Sequence, residues 1–174
     1  MSDQALTVAA GRAATLRPTA RVLLLDGDRL LLFHGCDPAR PGETWWFTVG
    51  GGAEPGEDLR DAAVRELAEE TGVVLAAADL IGPVWRRRSV FDFGGGLFDF
   101  REKYFLGHSP GAGIDTSGFT DLERAAVFEH RWWTAAELRA TAEVVYPQDL
   151  AELLPALLEQ LRAGELAAEF EIRG

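Results

Sequence analysis

The tightest constraint on the fold is a punctuated stretch running from Trp45 to Gly72. Trp45-Trp46-Phe47-Thr48-Val49 has the aromatic and β-branched content of a short strand, and it stops at Gly50-Gly51-Gly52. Pro55-Gly56 turns the chain, Asp58 offers an N-cap carboxylate and Asp61 places an acid in the first turn of a helix. Gly72 stands where a helix ends in left-handed backbone. Strand, glycine turn and capped helix to Thr71 are therefore predicted in direct succession.

The flanking sequence extends this alternation. Arg21-Val-Leu-Leu-Leu25 and Leu30-Leu-Leu-Phe33 surround Asp26-Gly27-Asp28, a β-hairpin signal, and both runs read as buried strands. Asp37 to Glu43, with Pro38 and Pro41, reads as a loop. Val84–Phe93 and Leu97–Gly107 form a second, longer hairpin across Gly94-Gly95-Gly96. Ser109–Thr120 is Gly-rich and aperiodic, an exposed loop able to lie over a site. Glu129–Trp133 reads as a strand leading to a helix through Arg139. Pro147–Arg162 repeats leucine at helical spacing, with Pro155 expected to kink it or mark a restart. Hairpins mixed with helices predict an α/β fold, a sandwich around a mixed sheet. The expected organisation is a lead-in over 1–17, one domain over 18–164 and a tail over 165–174.

Charge and composition narrow the function classes. With 17 basic and 28 acidic residues the formal charge is -11, which disfavours polymeric nucleic acid, whose binding draws on Lys and Arg. An apolar content of 47% without a run of about 18 apolar residues argues against a membrane-spanning protein, and a cytoplasmic location is expected. Cys36 is the single cysteine, and three histidines give no zinc spacing. The aromatic, apolar character leaves homodimer formation open.

On the predicted helix Glu66, Glu69 and Glu70 stand three and four apart, so their carboxylates share one surface beside Leu59, Ala63 and Leu67. Like charges so placed repel. Glu70 projects between apolar neighbours, where an ionised carboxylate needs a proton, an arginine or a cation. A hard divalent cation satisfies all three acids, and oxygen ligands select magnesium or manganese over zinc or copper. A plain solvated face, with Arg65 paired to Asp61 and Glu69, is the alternative.

The surroundings favour the cation. Gly51 is followed by Glu57, then Arg65-Glu66-Leu67, then Glu69-Glu70, Gly72 and Val73, and this run resembles the Nudix box at its seven fixed positions and both apolar ones. Val49 departs from the pattern, since many relatives have proline before the paired glycines. The resemblance implies a Nudix-type α/β/α sandwich and a MutT-like hydrolase that cleaves a diphosphate linkage in a nucleoside diphosphate joined to another moiety. It implies magnesium, with manganese as a substitute, held by Glu66, Glu69, Glu70, Glu57 and the carbonyl of Gly50. Arg65 then holds a box acid in place, and Glu66, Glu69 and Arg65 form the catalytic set, with Gly51 and Gly72 shaping the backbone. The general base is left among Glu66, Glu102 and Glu123.

Other features bear on substrate. Arg86 and Arg88, alternate residues of one strand, and Trp46 are candidates for substrate contact, set against a solvated strand face and core packing respectively. A catalytically silent nucleotide-binding module of the same fold would have lost box acids, and none is lost here. An isoprenoid diphosphate isomerase needs a Cys and Glu pair, and Cys36 has no evident partner. The signatures of ADP-ribose, dinucleotide-polyphosphate, coenzyme A and NADH subfamilies are absent after Val73, so the substrate stays unassigned.

Overall fold

The computed structural model describes residues 13–111 and 113–173; most of the expected lead-in, residues 1–12, lies outside them. The first strand, β1 (Thr15–Asp26), turns at Gly27 into β2 (Arg29–Asp37). The hairpin is present only at its tip, with Leu25 opposite Leu30 and Asp26 opposite Arg29. Beyond it the strands part. β1 runs parallel to β5 (Gly96–His108) from Thr15 opposite Phe98 to Leu25 opposite His108. β2 instead pairs antiparallel with β3 (Arg40–Thr48) and with β6 (Val127–Trp133). β4 (Ile81–Phe93) forms the long hairpin with β5, as the sequence predicts, and a short β7 (Phe170–Glu171) adds to its outer edge. The order is β3-β2-β1-β5-β4-β7, with β6 on β2 off that path.

Side chains on β1 alternate between the two faces, as strand geometry requires. Ala20, Val22 and Leu24 face a layer containing Ala62, Ala63 and Leu67 of the helix α1 (Leu59–Thr71). Leu23 and Leu25 face the opposite layer with Leu154, Leu157 and Leu158, which belong to α4 (Leu150–Ala163). Both faces of the sheet are thus covered, the α/β/α sandwich that the sequence and its resemblance predict. Coverage on both sides explains why β1 and β2 read as continuous apolar runs rather than alternating ones.

Caps set the helix ends. Asp58 accepts the Arg60 N–H at 2.8 Å, and Gly72, at φ +70°, donates to the Ala68 carbonyl, so α1 has the boundaries expected of it. Asp58→Ala should lower stability by about 1 kcal/mol, read as a shift in the urea midpoint without a change in slope.

Several expectations are corrected. The loop over Asp37–Glu43 is a tight turn into β3, closed by Asp37 accepting the Ala39 N–H at 2.9 Å. Its prolines are tolerated because Pro41 sits on the edge strand. A helix absent from the prediction, α2 (Asp121–Ala126), comes after the Gly-rich loop. Its start is a capping box in which Thr120 and Glu123 bond each other's backbone N–H. The helix through Arg139 is α3 (Ala135–Ala140), and α4 continues through Pro155 without a restart. β1 begins three residues inside the stretch read as lead-in, and β7 forms in the stretch read as a tail.

Candidate metal and active site

The glycine turn after β3 brings the strand end and α1 together. Gly50 lies at φ +127°, and an added Cβ would stand 2.1 Å from the Ala20 carbonyl oxygen, so no other residue fits without moving β1. Backbone bonds from Ala20 N to Gly51 O and from Val22 N to Val49 O hold the turn against β1. In this posture the Gly50 N–H donates to Glu70 Oε2 at 2.7 Å. Gly51 passes so close to Glu66 that a Cβ there would meet its carboxylate at 2.6 Å.

The helix supplies the acids. Glu66 and Glu70 are both buried, at 7% and 5% exposure, and Glu123 of α2 joins them, with one carboxylate oxygen from each lying within 4.8 Å of the others. Burial pushes the Glu70 carboxyl up to about 8, against the opposing hydrogen bond from Gly50, with the Glu66 charge adding to the rise. Burial also raises Glu66, although Arg65 works against it. Two buried acids and a third beside them would each gain from a shared dication, and their hard oxygen donors suit magnesium or manganese. The residues present therefore fit the ion that the sequence motif implies.

Arg65 organises the remaining acids. Its Nε and Nη2 each donate to Glu57 at 2.9 Å, a two-pronged pair, while Nη1 reaches Glu66 at 2.8 Å and Glu69 at 3.1 Å. Nη2 also donates to the Gly52 carbonyl at 3.1 Å, tying the glycine turn to the helix. The hydrogen bonds from Arg65 hold Glu57 down at about 2, so it stays ionised. Glu57 and Glu69 thus face Arg65, and Glu69 is the most exposed of the box acids, its side chain 55% accessible. Glu66, which Arg65 also reaches, gathers with Glu70 and Glu123. The Gly-rich loop docks on the end of α1, with Asp115 N donating to the Thr71 carbonyl at 2.8 Å and Gly118 packed on the Glu69 backbone.

The carbonyl of Gly50 accepts from Arg21 Nη1 at 2.8 Å, so one of its lone pairs is engaged. Glu102, one of the candidate bases, is not open to solvent. It is 2% exposed and clamped between Arg21, at 2.9 Å, and Arg87. Burial would push its carboxyl up, but the charges of both arginines outweigh that and hold it below its usual range. Both oxygens of this carboxylate are thus taken up by arginine donors.

The candidate substrate contacts lie elsewhere. Trp46 is a core residue, 2% exposed, stacked on His34 at 4.7 Å and edge-on to Trp133 at 4.9 Å. Arg88 pairs with Asp99 at 3.0 Å and Arg86 with Glu171 at 3.6 Å, both on the solvent side of β4. Of the three consecutive arginines it is Arg87 that turns inward. Its role escaped the sequence reading because it depends on the register that sets Arg87 opposite Glu102.

Known proteins share sequence and fold with this chain. The family model for the NUDIX domain matches residues 15–157. Over 69 residues the chain is 44% identical to Nudix hydrolase 25 of Arabidopsis thaliana, a match covering 40% of this chain and 38% of that one. It is 38% identical over 76 residues to the RNA pyrophosphohydrolase of Dinoroseobacter shibae (strain DSM 16493 / NCIMB 14021 / DFL 12), covering 42% and 46% of the two chains. The aligned stretches thus span less than half the length of these curated relatives. Among solved structures, the MutT protein from Methanosarcina mazei Go1 superposes with a TM-score of 0.61 at 19% identity, over 82% of this chain and 95% of that one, a likeness of fold.

Proposed function

The chain belongs to the Nudix family, and from that premise we propose that it is a hydrolase that cleaves the diphosphate linkage of a small nucleoside diphosphate derivative. The observation that carries this reading is the convergence of Glu66, Glu70 and Glu123 beside a glycine turn whose N–H is already aimed at Glu70. Glu66 and Glu70 would hold magnesium, for which manganese can substitute, with Glu69, Glu57 and the free lone pair of the Gly50 carbonyl as further donors. Once bound, such an ion polarises the diphosphate and lowers the pKa of water.

The protein's own groups supply the rest. Arg65 holds Glu57, Glu66 and Glu69 in place by hydrogen bonds, so the pocket presents oxygen donors in a fixed arrangement. Glu66, whose carboxyl burial raises, or Glu123 would take the proton from the water that attacks phosphorus. Gly51 lets the backbone pass against Glu66 where any side chain would push that carboxylate aside.

The net charge of -11 supports a small phosphorylated substrate over polymeric nucleic acid. Among the described residues no helix is long and apolar enough to cross a membrane, and a cytoplasmic location is proposed. All seven fixed box residues are present, which favours the enzyme over a silent binding module.

The test is a screen of nucleoside diphosphate derivatives with magnesium, measuring phosphate released after phosphatase treatment. At least one compound should be hydrolysed, and EDTA should abolish the reaction while added manganese restores it. Hydrolysis that survives chelation would sink the metal reading, and a complete absence of turnover across the panel would favour the binding module.

A further inference from the structure

A buried network of charged side chains reaches the glycine turn from the sheet face opposite α1. On that face Thr19, Arg21 and Leu23 of β1 lie beside Glu102, Tyr104 and Leu106 of β5, and Arg87 of β4 stands opposite Glu102. One oxygen of Glu102 accepts from Arg21 Nε at 2.9 Å, and the other accepts from Arg87 Nε and, at 3.4 Å, from the Tyr104 hydroxyl. Arg21 then spends Nη1 on two carbonyls, Gly50 at 2.8 Å and Thr48 at 3.3 Å.

Those two carbonyls belong to the peptide units on either side of the Val49–Gly50 peptide. That middle unit is the one whose N–H donates to Glu70 Oε2 at 2.7 Å. Val22 N holds the Val49 carbonyl of that unit at 2.8 Å, and a guanidinium gripping both flanking carbonyls adds a second constraint on the direction of the N–H, because each peptide unit is planar and only two dihedrals separate one from the next. Gly50 is held at φ +127°, an orientation without side-chain packing of its own to enforce it. Apolar residues of the same volume are often as stabilising as a buried charged group such as Arg87 and Glu102 with the half-buried Arg21, so stability alone does not account for the network.

We propose that Arg21, braced by Glu102 and through it by Arg87, is a positioning residue for the acid cluster, setting the orientation of Glu70 through the Gly50 backbone. This rests on the proposed cation site and extends it. The line of contact runs Arg87, Glu102, Arg21, Gly50, Glu70, from the α4 side of the sheet to the α1 side. Arg21 hydrogen-bonds none of the cluster's acids, and its charge, which lowers the Glu70 carboxyl against the effect of burial, is kept in a lysine. Lysine at the same position would keep the charge but cannot span two carbonyls and a carboxylate with a planar fork.

The experiment measures Mn2+ binding to the full chain by the EPR signal of free Mn2+, well below the melting temperature, for wild type and Arg21→Lys. Arg21→Lys should keep its circular dichroism spectrum and bind Mn2+ more weakly by a factor on the order of 10 to 100. A merely structural role would lower the melting temperature and leave the affinity of the folded protein alone. Wild-type affinity in folded Arg21→Lys therefore overturns the inference while the glutamate site stands. Failure of the wild type to bind Mn2+ overturns both. Should Arg21→Lys not fold, the wild type still decides. Its Arg21 Nε–H resonance should shift on titration with Mg2+, and an unmoved resonance in protein that binds the ion refutes the coupling.

Discussion

Glu70→Gln should lower turnover by about 10²-fold or more on whichever compound the screen returns, while the fold persists. The amide has nearly the shape of the acid, and its carbonyl can still accept the Gly50 N–H that Glu70 Oε2 now accepts at 2.7 Å. Its charge is gone. Burial holds the Glu70 carboxyl up to about 8, so near neutral pH the metal-free protein keeps a proton where a dication would sit. Cation and proton compete for the same oxygen, and Mn2+ affinity of the wild type should therefore rise as pH increases toward about 8. In Glu70→Gln that component of the pH dependence should disappear. Equal turnover in mutant and wild type would remove Glu70 from the metal site, since a ligand to a Lewis acid cannot be neutralised without consequence. Glu69→Gln should cost less, because Glu69 is the exposed member of the set and faces Arg65 rather than Glu66 and Glu70.

The contrast between Glu69 and Glu70 marks where sequence reasoning reached its limit. Helical periodicity put Glu66, Glu69 and Glu70 on one surface and placed Glu70 among apolar neighbours; in α1 Glu66 and Glu70 are buried, and Glu69 is exposed. It could not say which acid the arginine would take, because that depends on how the glycine turn folds back over the helix. The third member of the acid cluster, the half-buried Glu123, sits on α2, a helix of 6 residues too short to show a period. Glu123 stood among the candidate bases, but the helix that carries it had one sign in the sequence, the capping box of Thr120 and Glu123. Caps and turns are local, so the ends of α1 and the β4–β5 hairpin were readable from composition. Pairing partners are not local. The parallel register of β1 on β5, and with it the meeting of Arg21, Glu102 and Arg87, is decided by packing between segments some eighty residues apart.

That meeting makes Glu102 the residue whose loss should cost the fold most. Glu102→Ala should destabilise the protein by about 3–5 kcal/mol, measured by urea unfolding at pH 7, because it strands two arginines in surroundings that were tolerable only with the carboxylate present. Arg87 is 8% exposed and Glu102 only 2%, so water cannot take the missing partner's place without opening the sheet face. The pH dependence has a definite sign. The arginines hold the Glu102 carboxyl below its ordinary value of 4.5 despite burial, so the unfolded chain takes up the proton first as pH falls. The stabilising contribution is complete above that unfolded value and is lost as pH drops through the lower folded one. The acid limb of the wild-type stability curve should accordingly flatten in Glu102→Ala. A triple replacement, Arg21→Met with Glu102→Leu and Arg87→Met, separates the two roles of the network. Removing all three charges together should recover most of the lost stability, since the penalty belongs to stranded charge rather than to missing volume. Mn2+ affinity should not recover with it, because no guanidinium is left to hold the carbonyls of Thr48 and Gly50. Recovery of both stability and affinity would mean that the glycine turn orients itself, and that the charges beneath it serve only one another.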